Sequence, residues 1–225
     1  MVNAIKSPQS KRWFIGMVVA GLLIFILALS LLMVPFSKVI DENSGKDLTC
    51  LQIPFTKSRA AAIINSYNDE AMAAARALHV PGDLLFPVGY ALLYSGLIAL
   101  IVRQQEGWWL RAGLLVMFFP FLAMIFDWIE NAFILRMLAI ATEQSTAAIP
   151  AWMPAIGAIA GTLKYLFLSL LTPLFGIALI IWSLVTRRPA LTLGIGVTYL
   201  FAFGMFGFSL FQLFTDVLPC LASSL

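Results

Sequence analysis

Residues 84–102 read LLFPVGYALLYSGLIALIV and contain no charged side chain. About 20 apolar residues in a helix cross the hydrocarbon core of a bilayer. The run is continuous and does not alternate between apolar and polar residues, which argues against a β-barrel strand. Its backbone groups must therefore be paired within a helix. This stretch predicts a membrane-spanning helix.

Four further stretches have a similar character, and only 11% of the 225 residues are charged, against about 25% in soluble domains. We therefore expect an all-α integral membrane protein, with a single domain over residues 1–225. The predicted transmembrane helices are residues 14–36, 84–102, 112–135, 155–185 and 191–214. An exterior helical segment, residues 37–82, joins the first two.

The first apolar stretch could be a secretory signal, because Lys6, Lys11 and Arg12 precede it. A signal peptide has a shorter apolar region, of about 7–15 residues, followed by small residues at a cleavage site. Neither feature is found here. We expect a retained membrane anchor.

Basic residues of the N-terminal segment and of two short connecting segments predict the orientation of the chain, since the rule has less force for the longer segment of residues 37–82, whose Lys and Arg are balanced by acids. Such residues are Lys6, Lys11, Arg12, Arg103, Arg111, Arg187 and Arg188. Because Lys and Arg are enriched on the cytoplasmic side, we expect a cytoplasmic N-terminus and an exterior C-terminus. The expected location is the bacterial cytoplasmic membrane.

The two cysteines, Cys50 and Cys220, both fall on the predicted exterior side. Cysteines in an oxidising compartment can pair, and a disulfide here would tie the long segment to the C-terminal end. Two free thiols are the alternative, because sequence does not give the distance between the two Cα atoms.

Residues 56–80 predict one exterior helix, capped by Thr56 or Ser58 and ended by Pro81-Gly82. Two interpretations are open. The helix packs over the exterior ends of the bundle, or it is a lid or interfacial helix that admits a lipid-like molecule.

Ionisable residues occur inside two of the predicted membrane helices. Each costs about 2.5–3.5 kcal/mol to insert. Asp127, Glu130 and Asn131 share one face of the third helix, since they are three and four residues apart. Lys164 lies at a matching depth in the antiparallel fourth helix, at a helix rise of about 1.5 Å per residue.

Two glycines, Gly157 and Gly161, share a face of the fourth helix with Lys164. Small residues let membrane helices approach closely. We therefore expect an ion pair between Lys164 and Asp127 or Glu130.

The second helix carries a polar stripe of Asp83, Tyr90 and Tyr94 that leads to the same depth. Together these residues predict a polar cavity in the exterior half of the bundle. Asp127, Glu130 and Lys164 are the candidate catalytic residues, and Asp83, Tyr90, Tyr94 and Asn131 are the candidate ligand-binding residues.

The cluster of Asp127, Glu130 and Lys164 has two interpretations. It can be a structural clamp that holds the helices in register. It can also be a functional site, because two carboxylates face one lysine. The surplus acid then calls for a proton or for a cationic ligand.

Several functional classes have no support in the sequence. His79 is the only histidine, and we expect it to be a surface residue, so no metal site is predicted. No nucleotide-binding or serine-hydrolase motif is present, and no cofactor is expected. Nothing indicates nucleic-acid binding, because there is no basic stripe interleaved with aromatic residues.

Three motifs carry a resemblance to a known group. They are Asp83-Leu-Leu-Phe-Pro87-Val-Gly-Tyr90, the D-x-x-E-N run Asp127-Trp-Ile-Glu130-Asn131, and the T-x-K run Thr162-Leu-Lys164. With them the chain resembles a group of small bacterial multi-pass membrane proteins over residues 55–185. The resemblance implies a shared arrangement of helices and names no chemistry.

Three functions fit these observations. In the first, the protein lies in membrane lipid and binds or acts on a lipid-like or isoprenoid molecule by carboxylate acid–base chemistry. In the second, it is a structural or assembly subunit, and in the third it is a proton-coupled transporter. The sequence leaves open whether it is an enzyme and which oligomeric state it adopts.

Overall fold

A computed structural model gives the fold of residues 5–44, 48–187 and 193–222. Every regular element in these residues is a helix. Five helices are long and apolar enough to cross a membrane, and we call them the first to fifth spans. They are Pro8–Ile40, Asp69–Val102, Gly107–Glu143, Trp152–Thr186 and Gly196–Ala222. The predicted all-α membrane bundle of five helices is confirmed.

Each span is interrupted once along its length. A π turn interrupts four of them: Leu29–Met33, Leu78–Gly82, Leu166–Leu171 and Leu213–Val217. The third span is divided at residues 117–118 into Gly107–Val116 and Phe119–Glu143. The α-helical parts of the other spans are Pro8–Ala28 and Val34–Ser44, Asp69–Ala77 and Asp83–Val102, Trp152–Tyr165 and Thr172–Arg187, and Leu193–Gln212 and Leu218–Ala222.

The spans are longer than the apolar runs that predicted them. The first begins at Pro8, where the Ser7 side chain accepts a hydrogen bond from the amide of Ser10 and caps the helix. The predicted start of the fifth helix, residues 191–192, lies outside the described residues. The sequence did not predict the polar ends of the spans, because hydropathy detects only the part of a helix that is apolar.

The expectation that Pro81-Gly82 ends a helix and turns the chain is wrong for the second span. The helix continues through both residues by way of the π turn Leu78–Gly82. Proline lacks an amide hydrogen and its ring crowds the preceding turn of a helix. A local π turn changes the hydrogen-bond pattern at that point, so the helix runs on to Val102.

The single helix expected over residues 56–80 is two helices. Thr56 caps the first, Lys57–Ile64, as predicted. Asn68 then caps a second helix, which begins at Asp69, by accepting a hydrogen bond from the amide of Ala71 over 2.8 Å. An asparagine side chain competes well for free amides at a helix start, so a new helix begins there.

The segment between the first two spans covers one end of the bundle. Buried residues of the segment, such as Ile63 and Ile64, pack against Ile134 and Leu138 of the third span. This packing supports the interpretation as a helical layer over the bundle. Its role as a lid stays a prediction.

Among the described residues, the first and second spans make the most extensive contact with each other, through glycines. A Cβ atom on Gly89 would lie 2.7 Å from the amide nitrogen of Phe25, and one on Gly21 would meet the backbone of Leu93. In lipid, helix association depends on such close packing. The fifth span packs mainly against the fourth.

Candidate binding cavity

The charged side chains in the middle of the bundle meet as the sequence predicted. Lys164 Nζ lies 2.7 Å from Glu130 Oε2 and 3.4 Å from Asp127 Oδ1. All three residues are buried. We call Asp127, Glu130 and Lys164 the charged cluster. The lysine pairs with both acids, where the sequence had left the choice open.

Glycine explains how the third and fourth spans approach closely enough for this contact. A Cβ atom on Gly161 would lie 3.2 Å from the Glu130 carboxylate and 2.8 Å from the carbonyl oxygen of Gln52. Gly157 faces Phe133 in the same way, at 3.3 Å. The predicted role of the two glycines is confirmed.

Asp127 joins three spans through its hydrogen bonds. It accepts one from the Tyr90 hydroxyl over 3.0 Å and one from Asn131 Nδ2 over 3.3 Å, in addition to the contact with Lys164. Asn131 Nδ2 also lies 3.4 Å from the carbonyl oxygen of Asp83. Charged acceptors with several donors form strong networks, so the carboxylate is held in one position.

His79 is not the surface residue that the sequence suggested. It is 1% exposed, and its Nδ1 hydrogen-bonds the carboxylate of Asp83, one helical turn later. The π turn continues the helix and carries both residues into the protein. The expectation was wrong because it assumed that the chain turned out of the helix at Pro81.

A cavity of about 290 Å³ lies beside the charged cluster. Five of the seven predicted residues line it: Asp83, Tyr90, Tyr94, Asp127 and Lys164. Most of the remaining lining residues come from the first, fourth and fifth spans, and both apolar and polar side chains are among them.

Two of the predicted lining residues, Glu130 and Asn131, do not line the cavity. At about 100° per residue, Glu130 is turned about 60° to one side of Asp127 and Asn131 about 40° to the other. Of these three side chains, only that of Asp127 lines the cavity. Glu130 lies behind the wall, in contact with Lys164.

Tyr94 lines the cavity without contacting the carboxylates. Its hydroxyl hydrogen-bonds Ser209 and lies 3.2 Å from the carbonyl oxygen of Met205. Its ring stacks on Phe206 at 5.7 Å between centroids. Tyr94 therefore attaches the fifth span to the second.

Several polar lining residues were missed by the sequence argument: Gln52, Tyr165, Ser169, Ser209, Gln212 and Asp216. The Tyr165 hydroxyl donates to Gln52 Oε1, which brings the segment between the first two spans to the cavity. For the fifth span, the sequence did contain a pattern that indicates the polar face. Ser209, Gln212 and Asp216 are three and four residues apart and share one helix face.

The cavity opens at its lipid-facing side between the first and fifth spans. Val34 and Phe208 line it and are 53% and 48% exposed, and Gln212 beside them is also exposed. We call Val34, Phe208 and Gln212 the mouth. Among the described residues, these two spans pack mainly against the second and the fourth, and not extensively against each other.

Cys50 and Cys220 form a disulfide, with Cα atoms 5.2 Å apart. Arg59 Nη2 donates to the carbonyl oxygen of Cys220 over 2.9 Å. Gln52, two residues after Cys50, lines the cavity. The predicted pairing is confirmed, and we call this side of the bundle the disulfide end.

Within residues 5–44, 48–187 and 193–222, no group of three or more His, Cys, Asp or Glu side chains could hold a metal ion. No family model, curated protein or solved structure matches the chain. The resemblance to small bacterial membrane proteins therefore rests on the three motifs alone.

Proposed function

We propose that this multi-pass membrane protein binds a lipid-like or isoprenoid molecule in the cavity and that Asp127 exchanges a proton with it. The observation that carries the proposal is the form of the cavity. Its inner wall presents buried polar groups such as Asp127 and Tyr90, and its mouth is exposed between two membrane spans.

The volume agrees with a partly enclosed ligand. Pockets that enclose drug-sized molecules are about 300–1,000 Å³, and this cavity is about 290 Å³. It accommodates a polar head group and the first part of a chain. The rest of an amphipathic molecule would lie along the mouth, in the membrane.

The contacts support different roles for the members of the charged cluster. Asp127 lines the cavity and is hydrogen-bonded to Tyr90, which supports a role for its carboxylate as acid or base. Lys164 also lines the cavity and holds Asp127 in place. Glu130, which the sequence suggested as catalytic, is set behind the wall and balances the lysine charge.

Native mass spectrometry with lipid extraction tests the proposal. We expect purified wild-type protein to retain one small amphipathic molecule per chain, and Asp127→Asn to retain at least tenfold less. Glu143→Gln is the matched control, because Glu143 is an exposed acid at the end of the same span. Tyr90→Phe, which removes one donor to Asp127, gives an intermediate loss.

The thermal midpoint of each variant is measured in parallel, so that a loss of ligand is separated from a loss of fold. An empty wild-type protein, or equal retention by a folded Asp127→Asn, contradicts the proposal.

A structural clamp is the second candidate function, and Glu130 is the observation that favours it. Its carboxylate is fully buried, does not line the cavity and lies 2.7 Å from Lys164. A buried pair of this kind fixes the register of two helices. The clamp and the ligand site can coexist, because they use different sides of Lys164.

We further propose that the protein belongs to the bacterial group that it resembles and lies in the cytoplasmic membrane, with the disulfide end outside. Two features support this orientation. Disulfides persist in oxidising compartments. At the opposite end, Arg103 donates to the carbonyl oxygen of Lys6, which brings the basic ends of the first two spans together.

A further inference from the structure

The charges around the cavity do not balance. Three carboxylates line it, those of Asp83, Asp127 and Asp216, whereas Lys164 is the one basic side chain among its described lining residues. A buried charge is costly unless an opposite charge accompanies it. The surplus carboxylates call for protons or for a positively charged occupant of the cavity.

Residues in contact with the lining do not remove the imbalance. Glu130 adds a fourth carboxylate, whose Oε2 lies 2.7 Å from Lys164 Nζ. His79 contacts Asp83. Even with His79 counted as a cation, four carboxylates face two cations.

Asp216 is the carboxylate that is free to meet a ligand. It lies in the π turn Leu213–Val217 of the fifth span, is half-buried and lines the cavity. It makes no side-chain hydrogen bond or ion pair within the described part of the chain. A carboxylate can only accept hydrogen bonds, so it calls for a donor.

A second, independent observation comes from Ser169 of the fourth span. Its side chain lines the cavity, is 4% exposed and has no hydrogen-bond partner among the described residues. Buried polar groups nearly always have a partner. An occupant of the cavity with hydrogen-bonding capacity would supply one.

We propose that the ligand is an amphiphile with a protonated amine head group that lies between Asp127 and Asp216, with its chain leaving through the mouth. This inference rests on the proposed function and names the chemical class of the ligand. The ammonium group brings the missing positive charge and N–H donors for the two carboxylates. The exposed apolar residues Val34 and Phe208 would contact the chain.

Amphiphiles with the same alkyl chain and different head groups test the inference. Dodecylamine, dodecyltrimethylammonium, dodecanol and dodecyl sulfate compete for the protein in a neutral detergent, and native mass spectrometry counts the bound molecules. We expect one dodecylamine per chain, favoured at least tenfold over dodecanol and dodecyl sulfate. The trimethylammonium compound binds less well than dodecylamine, because it has no N–H donor.

Asp216→Asn is the informative variant, because Asp216 has no partner in the fold that the substitution would disturb. We expect it to lose most of the preference for dodecylamine over dodecanol and still to bind one amphiphile. Ser169→Ala is expected to weaken binding of dodecylamine, and Glu143→Gln to change neither property.

The outcomes separate the two proposals. If dodecanol or dodecyl sulfate binds as tightly as dodecylamine, or if Asp216→Asn keeps the full preference, the amine inference is overturned while the binding function stands. If no amphiphile binds at one copy per chain, or if Asp127→Asn does not reduce binding, the proposed function itself fails.

Discussion

Lys164 contacts two carboxylates that differ in what else they touch. Asp127 faces the cavity and accepts hydrogen bonds from two neighbours, Tyr90 and Asn131. Glu130 is completely buried, and its Oε1 has no hydrogen-bond partner among the described residues. The two acids therefore have different surroundings, although they are three residues apart on one helix.

The clamp can be tested by a double-mutant cycle on Glu130 and Lys164. Breaking a buried ion pair on one side costs about 3–5 kcal/mol, whereas an apolar replacement of both partners is often neutral. We therefore expect Lys164→Met to lower the free energy of unfolding by about this amount, because it leaves two buried carboxylates without a cation. Glu130→Leu is expected to cost less, because Asp127 still pairs with the lysine. The double variant should recover part of the loss from Lys164→Met, because Glu130 is then no longer a buried carboxylate without a partner.

Thermal unfolding followed by the fluorescence of the six tryptophans measures the cycle, with Glu143→Gln as control. Asp127 still needs a partner in the double variant, so recovery is expected to be incomplete. Additive losses in the double variant would argue against a clamp between Glu130 and Lys164.

At the scale of whole helices, the first span is positioned by its glycine contact with the second. Residues of the first span also line the cavity, including Phe25 and Leu29. Phe25 lies directly against Gly89. The same contact that joins the two helices therefore sets one wall of the cavity.

Gly21→Ala tests this contact, and Gly16→Ala is its matched control on the same helix. A Cβ atom on Gly21 would collide with the backbone of Leu93, whereas one on Gly16 would meet nothing within 4 Å. Overpacking of a tight contact costs about 1–3 kcal/mol. We expect a lower thermal midpoint for Gly21→Ala and no loss for Gly16→Ala, and equal midpoints would show that the spans are not closely packed at Gly21.

The whole molecule has two distinct ends, and the disulfide makes its orientation easy to measure. Both native cysteines are consumed in the bond between Cys50 and Cys220, so a thiol reagent has no native target. Ser145 and Glu106 are exposed. Ser145 lies in the connection after the third span, and Glu106 lies in the connection before it.

A membrane-impermeant maleimide applied to intact cells should label Ser145→Cys and leave Glu106→Cys unlabelled until the membrane is broken. Wild-type protein is the blank. Lys57, two residues from Arg59, donates to the carbonyl oxygen of Ala147, so Ser145 lies at the disulfide end and this result would place that end outside. The reverse pattern would refute the proposed orientation and would put the disulfide in a reducing compartment.

Much of this architecture was predictable from the chain because it depends on local properties. The length of an apolar run shows that a helix can cross a bilayer, and the five runs appear as five spans. The constant rise of a helix placed Asp127 and Lys164 at one depth. Their high cost in lipid required them to meet, and the structure brings them together.

The tertiary structure decided which of these side chains reach the cavity. That choice depends on the rotation of each helix, which is set by contacts between residues far apart in the chain. Asp127 faces the cavity and Glu130 does not, Tyr165 meets Gln52, and the fifth span brings Asp216 to the site. Hydropathy and spacing show which face of a helix is polar, but they do not give its exact rotation against its neighbours. The sequence alone therefore determined the bundle and its charged cluster, and packing determined which residues line the cavity.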